Sequence, residues 1–244
     1  MSFFSKRKKV KKEKTPSCSA VIAAAGSSQR MNGEDKLFVE INDIPVIVHT
    51  LAAFQSCECI NEIVIVCRSE LMELVCDICR HYNITKAAKV VTGGPTRSSS
   101  VYNGVFAVSD TAGLIAIHDG ARPCVEQDLI KRTIDSASKF HAAAPAVPVR
   151  STIKRVKDNY VMETVDRDDL FEIQTPQVFT AELIKAALTN AINNSFDVTD
   201  DCKAVELIGA PVYITEGSHS NIKITTKEDV TIAKAILTQL GVRG

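Results

Sequence analysis

The 244-residue sequence has no tryptophan, and aromatic residues make up only 5% of it. It also lacks an apolar run near the roughly 18 residues of a membrane-spanning helix, and no signal-peptide core follows the charged N-terminus. Ser-His-Asp spacing, a HExxH sequence and paired carboxylates are missing too, which removes the usual signatures of serine hydrolases and zinc proteases. We therefore expect a cytoplasmic protein of another class that does not bind membranes.

The formal net charge of zero hides an uneven distribution. Residues 6–14 contain seven of the 29 basic residues and one of the 29 acidic residues, so the remainder carries a net charge of −6. An acidic body argues against a nucleic-acid-binding surface. We predict a basic, disordered tail at 1–16 and a single domain at 17–244. The tail could bind RNA or anionic lipid, act as a localisation address, or simply keep the chain in solution.

Eight cysteines are present, and we expect reduced thiols. Cys57 with Cys59, and Cys76 with Cys79, could together form a four-thiolate zinc site. We favour core packing, because Cys76 and Cys79 fall in an amphipathic helix and free cysteine commonly behaves as a small apolar residue. The predicted apolar stripe of that helix is Leu71, Leu74, Val75 and Ile78.

Apolar strands alternate with helical segments along most of the chain. The predicted strands are 19–25, 62–67, 87–92, 113–118, 142–149 and 212–214, and the predicted helices begin at Pro45 or cover about 70–80, 98–108, 130–137, 181–194, 200–208 and 228–239. Such alternation predicts an α/β fold with a doubly wound, mostly parallel sheet that binds ligands at the carboxyl ends of its strands.

The alternation fails between about 150 and 178. Residues 152–156 and 160–165 flank a turn at 157–159 and have the pattern of a β-hairpin. A two-stranded ribbon is marginally stable alone, so it must pack on something, and a second subunit is a plausible partner.

A possible phosphate site follows the first strand. Gly26 lets the backbone approach a ligand, Ser27 and Ser28 add little bulk, and Arg30 and Lys36 supply positive charge. The same residues could form an ordinary turn with solvated charges. Neither the phosphate-loop sequence of ATPases nor the G-x-G-x-x-G of dinucleotide-binding proteins is present.

Polar residues also follow two later strands. The turn at 93–97 leads into a hydroxyl-rich helix start that could hold a base or ribose, or could be a plain serine cap. Asp119 follows the fourth strand, where it could hold Mg²⁺ against phosphate oxygens, although Asp-Gly also makes simple turns. We expect His118 to be structural, since it points to the other side of the strand.

From Cys18 to the last helix, the chain resembles the 2-C-methyl-D-erythritol 4-phosphate cytidylyltransferases of non-mevalonate isoprenoid biosynthesis. The motifs that carry the resemblance are Ala24-Ala25-Gly26 through Arg30-Met31, Lys36, 97–104, 118–123, 151–155, Val165-Asp166-Arg167, 174–177, Thr199-Asp200 and 221–225. The resemblance implies a Rossmann-like nucleotidyltransferase with a protruding β-arm used in homodimerisation. In the implied reaction, the phosphate of methylerythritol 4-phosphate attacks the α-phosphorus of CTP and expels pyrophosphate, with Mg²⁺ or another divalent cation as cofactor.

The resemblance also implies residue roles. Arg30 and Lys36 would be catalytic, and Asp119 would bind the metal. The residues implied in nucleotide binding are Ala24, Ala25, Gly26, Gly94, Ser100, Asp119, Gly120 and Thr175. Those implied in sugar-phosphate binding are Thr152, Arg167 and Lys223, the first two reaching the site of the other subunit.

Three positions depart from the family pattern: Ala23 stands where proline is common, Ser28 replaces a second glycine, and Pro95 replaces an acidic residue. Two alternatives stay open. The ribitol-5-phosphate cytidylyltransferases share the loop, although the arm segments look like the methylerythritol enzymes. A non-catalytic nucleotide- or RNA-binding protein that uses the basic tail is a more distant possibility.

Overall fold

The computed structural model describes residues 17–26 and 35–241. The tail 1–16 and the loop residues Ser27, Ser28 and Arg30 lie outside these ranges. The strands are β1 (Cys18–Ala24), β2 (Glu40–Ile41), β3 (Ile44–Pro45), β4 (Ile60–Cys67), β5 (Ala87–Thr92), β6 (Leu114–Asp119), β7 (Ala142–Pro148), β8 (Ile153–Lys157), β9 (Tyr160–Val165), β10 (Phe171–Ile173), β11 (Gln177–Thr180) and β12 (Tyr213–Glu216). The helices are α1 (Val46–Ser56), α2 (Met72–His81), α3 (Arg97–Ala107), α4 (Gln127–Phe140), α5 (Ala181–Asn193), α6 (Asp201–Leu207) and α7 (Lys227–Gln239).

The central sheet has the order β10-β7-β11-β6-β1-β4-β5, and β12 pairs with β7. Strand β1 lies between β4 and β6 and is parallel to both. Its small apolar residues are buried on both faces: Ala20 and Ile22 belong to one core and Val21 to the other. This is the burial expected of a parallel strand that is covered by helices on both sides. The predicted α/β class and mostly parallel sheet are confirmed.

Helices cover the two faces of the sheet. Helices α1, α2, α4 and α7 contribute to one core, and α3, α5 and α6 contribute to the other. The predicted stripe on α2 is wrong at Leu74, which is 45% exposed, whereas Val75, Ile78 and Cys79 are buried. Helix α2 therefore presents a narrower apolar face than its sequence indicates.

The positions of the cysteines favour packing in the core over a zinc site. Cys57 and Cys79 are buried, Cys59 and Cys76 are partly buried, and all eight cysteines are free. Within the described ranges, no group of three or more His, Cys, Asp or Glu side chains could hold a metal ion.

The excursion after β7 divides into an arm and a return to the sheet. Strands β8 and β9 pair only with each other in the described part of the chain. Strands β10 and β11, which the sequence did not predict, then join the central sheet antiparallel to β7, and β11 also pairs with β6. None of the helices within the described ranges is both long enough and apolar enough to cross a membrane.

Candidate active site

A cavity of about 510 Å³ lies at the carboxyl edge of the sheet. The ends of β1, β4, β5 and β6 lead into it, as the winding rule predicts. Its lining consists of Ala23, Ala24, Ala25, Gly26, Lys36, Leu37, Arg68, Gly94, Pro95, Thr96, Arg97, Ser100, Asp119, Ala121 and Lys223. The cavity therefore gathers eight of the residues to which the sequence analysis gave a catalytic or binding role. They are Ala24, Ala25, Gly26, Lys36, Gly94, Ser100, Asp119 and Lys223.

The other named residues lie elsewhere. Gly120 does not line the cavity. Its amide donates to the Ala23 carbonyl, and its own carbonyl accepts from the Thr50 hydroxyl. Thr175 is also outside the lining and only 4% exposed. Thr152 and Arg167 are exposed beside the arm. Arg30 falls outside the described residues.

The glycine turn after β5 packs tightly against the end of β1. A Cβ atom added at Gly93 would lie 2.5 Å from the Ala25 Cβ and 2.8 Å from the Ser100 Oγ. The Gly94 amide donates to the Ser100 Oγ at 3.0 Å. Thr96 then caps α3 in a capping box with Ser99. Small residues are thus required for the backbone to form this wall of the cavity.

Asp119, the last residue of β6, is surrounded by cations. Its carboxylate lies 2.9 Å from the Lys223 Nζ, 3.5 Å from the Arg122 Nε and 3.7 Å from the Arg97 Nη2. Burial alone would raise the pKa of Asp119, but attraction to Lys223 and Arg97 outweighs it and holds the pKa well below its usual range. Asp119 is therefore an anion at neutral pH.

Arg97 is held from a distant part of the chain. Its guanidinium donates to both carboxylate oxygens of Asp201, at 3.1 and 2.8 Å. Burial disfavours the charge on Arg97, yet the attraction of Asp201 raises the Arg97 pKa above its ordinary value. The Gln177 Oε1 accepts from the amides of Asp201 and Cys202, both at 3.0 Å. Strand β11 thereby fixes the start of α6, and α6 in turn fixes Arg97.

The segment that carries Lys223 is tied to the β10–β11 connection. The Asn221 Nδ2 donates to the Thr175 carbonyl at 2.8 Å, and the Asn221 carbonyl accepts from Arg122 at 2.6 Å. Asn221 is fully buried. Lys223 therefore reaches Asp119 from a backbone that is fixed two residues earlier.

Sequence reasoning gave no role to several of these residues. They are Arg68, Arg97, Arg122, Gln177, Asp201 and Asn221. A signal existed for Arg68, which directly follows β4 and so satisfies the strand-end rule. Asp201 and Gln177 act through contacts between distant segments, which local sequence does not reveal.

The cavity has the chemistry of an anion site. Among the described residues, its lining contains four cationic side chains, Lys36, Arg68, Arg97 and Lys223, and one carboxylate, Asp119. Oriented cations at a partly enclosed edge stabilise charge more strongly than they would in water. The arrangement suits a polyphosphate together with a second anionic group.

Comparison with known proteins identifies relatives over almost the whole chain. The family model described as 2-C-methyl-D-erythritol 4-phosphate cytidylyltransferase matches residues 18–239. A protein of that name from Halalkalibacterium halodurans is 43% identical over 222 residues, which cover 91% of this chain and 97% of the relative.

Solved structures agree with that result. The 4-diphosphocytidyl-2C-methyl-D-erythritol synthase of Anaerococcus prevotii aligns with a TM-score of 0.81 and 33% identity, covering 92% of this chain and 97% of that one. The 2-C-methyl-D-erythritol 4-phosphate cytidylyltransferase of Thermus thermophilus aligns with a TM-score of 0.73 and 28% identity, covering 90% of this chain and 98% of that one.

Proposed function

Because this chain belongs to the 2-C-methyl-D-erythritol 4-phosphate cytidylyltransferase family, we propose that the cation-lined cavity is where it performs that family's reaction. The chain transfers the cytidylyl group of CTP to 2-C-methyl-D-erythritol 4-phosphate and releases pyrophosphate. The product is 4-diphosphocytidyl-2-C-methyl-D-erythritol, an intermediate of non-mevalonate isoprenoid biosynthesis. The observation that supports this placement is the convergence of Lys36, Arg97 and Lys223 on the edge that also carries the glycine turn.

The chemistry requires charge stabilisation more than proton transfer. An oxygen of the sugar phosphate forms a bond to the α-phosphorus of CTP, and the bond from that phosphorus to the bridging oxygen breaks, so pyrophosphate leaves. The attacking phosphate is already nucleophilic, and the obstacle is repulsion between anions. Lys36 and Arg30 are assigned to the charge that develops around the α-phosphorus. No general base is needed.

The nucleotide is assigned to the wall formed by Ala24, Ala25 and Gly26 together with Gly94 and Ser100. Backbone groups dominate this wall, because its side chains are small. Backbone donors placed by a tight turn suit the edge of a base and the oxygens of a phosphate chain. Gly120 and Thr175 support this edge of the cavity, because the Gly120 amide donates to the Ala23 carbonyl and the Thr175 hydroxyl accepts from the Asp119 amide.

Among the described residues of the cavity lining, a divalent cation would find one carboxylate, that of Asp119. Magnesium commonly takes one or two carboxylates together with substrate phosphates and water, so this donor fits an ion that arrives with CTP. We assign Asp119 to that ion. Binding of the ion would replace part of the contact between the Asp119 carboxylate and Lys223. When bound, the ion would neutralise charge on the triphosphate.

The sugar phosphate is assigned to Lys223 of one subunit and to Thr152 and Arg167 of the other. The arm supports this assignment, because Tyr160 is 76% exposed and Met162 is 61% exposed on a ribbon with no large core of its own. Burial of these side chains against a second copy would stabilise the ribbon. We therefore propose a homodimer. The free thiols also suit the reducing cytoplasm, where we place the protein.

Pyrophosphate release tests the assignment of substrate. The chain is incubated with CTP and Mg²⁺ and with either methylerythritol 4-phosphate or ribitol 5-phosphate. Release with the former alone is the expected result. Release with ribitol 5-phosphate alone would move the chain's activity to the sister reaction, and release with neither would contradict the proposal.

A further inference from the structure

Arg68 lies in the cavity but has no role in the reaction described above. It follows β4 directly, and β4 pairs with β1 in a register that places Cys67 opposite Ala24. Arg68 is therefore level with the start of the loop that leads from β1 towards Lys36. Its side chain is 35% exposed, and its buried Nε has no hydrogen-bond partner among the residues that the structure describes.

Asp35 connects Arg68 to the backbone of Lys36. The Asp35 Oδ1 accepts from the Leu37 amide at 3.1 Å, which forms a turn around Lys36. The Asp35 Oδ2 lies 2.5 Å from the Arg68 Nη2. On the other side of Lys36, Leu37 is buried in the core and its carbonyl accepts from the Ile47 amide at 3.0 Å. Lys36 thus stands between two fixed residues, and Arg68 fixes one of them.

The Asp35 carboxylate also has an electrostatic effect on the site. Its side chain is only 15% exposed, and the next residue, Lys36, lines the cavity assigned to the triphosphate. A carboxylate there repels phosphate strongly, because water screens it little. Arg68 is a cation in direct contact with this carboxylate. Glu70, at 3.6 Å from Arg68, is 61% exposed and competes weakly.

We propose that Arg68 is a positioning residue for Lys36, which holds the Asp35 turn against the end of β4 and adds a positive charge beside the Asp35 carboxylate, close to the place assigned to the triphosphate. The inference rests on the proposed function in one respect, the placement of CTP in this cavity. It makes Asp35 and Arg68 one unit, so their substitutions should not act independently.

The test compares Arg68→Gln, Asp35→Asn and the double variant. Arg68→Gln removes a positive charge from the cavity lining, so CTP affinity should fall about tenfold and turnover at saturating CTP should also fall. Asp35→Asn keeps an acceptor for the Leu37 amide while removing the repulsion. Combined with Arg68→Gln, it should return CTP affinity to within about twofold of the native value. The KM for the sugar phosphate should stay constant throughout.

Arg80→Gln is the matched control, because Arg80 is an exposed arginine paired with Asp77 on the surface of α2. CTP affinity is measured by titration calorimetry without the sugar phosphate, and thermal unfolding checks that each variant is folded. CTP binding by Arg68→Gln equal to that of Arg80→Gln would overturn the proposal. So would a double variant that binds CTP no better than Arg68→Gln, or unchanged turnover in Arg68→Gln.

Calorimetry separates this inference from the assignment of substrate. If the native chain binds CTP but releases no pyrophosphate with methylerythritol 4-phosphate, the proposed function fails while recovery of affinity in the double variant still supports the pairing. If the native chain turns over normally and the double variant does not recover, only the role of Arg68 fails.

Discussion

The Thr175 hydroxyl lies 2.9 Å from the His118 Nδ1 and also accepts from the Asp119 amide at 3.2 Å, so one side chain links the end of β6 to the segment before β11. The His118 Nε2 faces the Arg122 carbonyl at 3.4 Å. Burial lowers the pKa of His118 to about 3, so the ring stays neutral.

Removing the Thr175 hydroxyl should destabilise the protein. Thr175→Val keeps the shape of the side chain but leaves the Asp119 amide without its partner inside the protein. A buried donor in that state costs about 1–3 kcal/mol. The free energy of unfolding in denaturant measures the loss, and Thr175→Ser, which keeps the hydroxyl, is the control. Equal stability of the two variants would contradict this account of the contact.

His118 should make the protein sensitive to acid. Its pKa is near 6.5 in the unfolded chain and about 3 in the folded one, so between these values the unfolded state binds more protons. The free energy of unfolding should therefore be constant with respect to this group above about pH 6.5 and fall as the pH decreases towards 3. Asp119, whose pKa is lowered by folding, adds a similar loss only below about pH 4.

His118→Asn should flatten the pH dependence of unfolding between about pH 4 and 6.5, leaving a smaller slope from His49, whose pKa burial also lowers. The control is His141→Asn, since His141 is exposed and its φ of 68° suits asparagine. A native slope retained in His118→Asn would show that other groups cause the sensitivity to acid.

Loss of the Lys36 ammonium group should slow the reaction. For Lys36→Ala we expect turnover to fall by about 10²–10³, as for loss of one oriented donor to the transition state. Lys139→Ala, at the exposed end of α4, is the control. Steady-state kinetics with saturating CTP measures the effect, and near-native turnover would remove Lys36 from the catalytic role.

Arg167→Ala should weaken binding of the sugar phosphate by on the order of tenfold and leave CTP binding unchanged, because its charge is assigned to the second substrate. A fall confined to CTP affinity would contradict that division.

Mixing Arg167→Ala with Lys36→Ala provides a further check. If the arm completes the partner's site, mixed dimers contain one intact site, and activity should recover to about a quarter of the native level. No recovery would place Arg167 in the site of its own subunit.

The parts of the site that follow the strand ends could be predicted, because each is marked by a short sequence pattern. A buried strand followed by Gly26, a glycine turn after β5 and an acid at the end of β6 each appear in a short stretch of sequence, and the winding rule brings them to one edge. The return of the chain through β10 and β11 was missed. These strands are three and four residues long, and they run antiparallel within a sheet that the alternating pattern predicts to be parallel.

The residues that hold the side chains of the site in place were harder to predict from the sequence. Arg97 and Asp201 are 104 positions apart in the sequence, and Gln177 helps to hold the start of α6 where Asp201 meets Arg97. Arg68 is a different case. The strand-end rule could have selected it, but a single arginine after a strand is more often a solvated surface charge.

The arm leaves and re-enters the sheet at one place, since Pro148 at its start is paired with Phe171 at its end. The Val149 amide also donates to the Leu170 carbonyl, which closes the base of the excursion. Because this pairing involves no residue between Val149 and Leu170, we expect changes in the length of the arm to leave the register of the central strands unchanged. Under the proposed assignment of Thr152 and Arg167, selection for a different sugar alcohol would then act on the arm, while the edge of the sheet that carries the cavity keeps its structure.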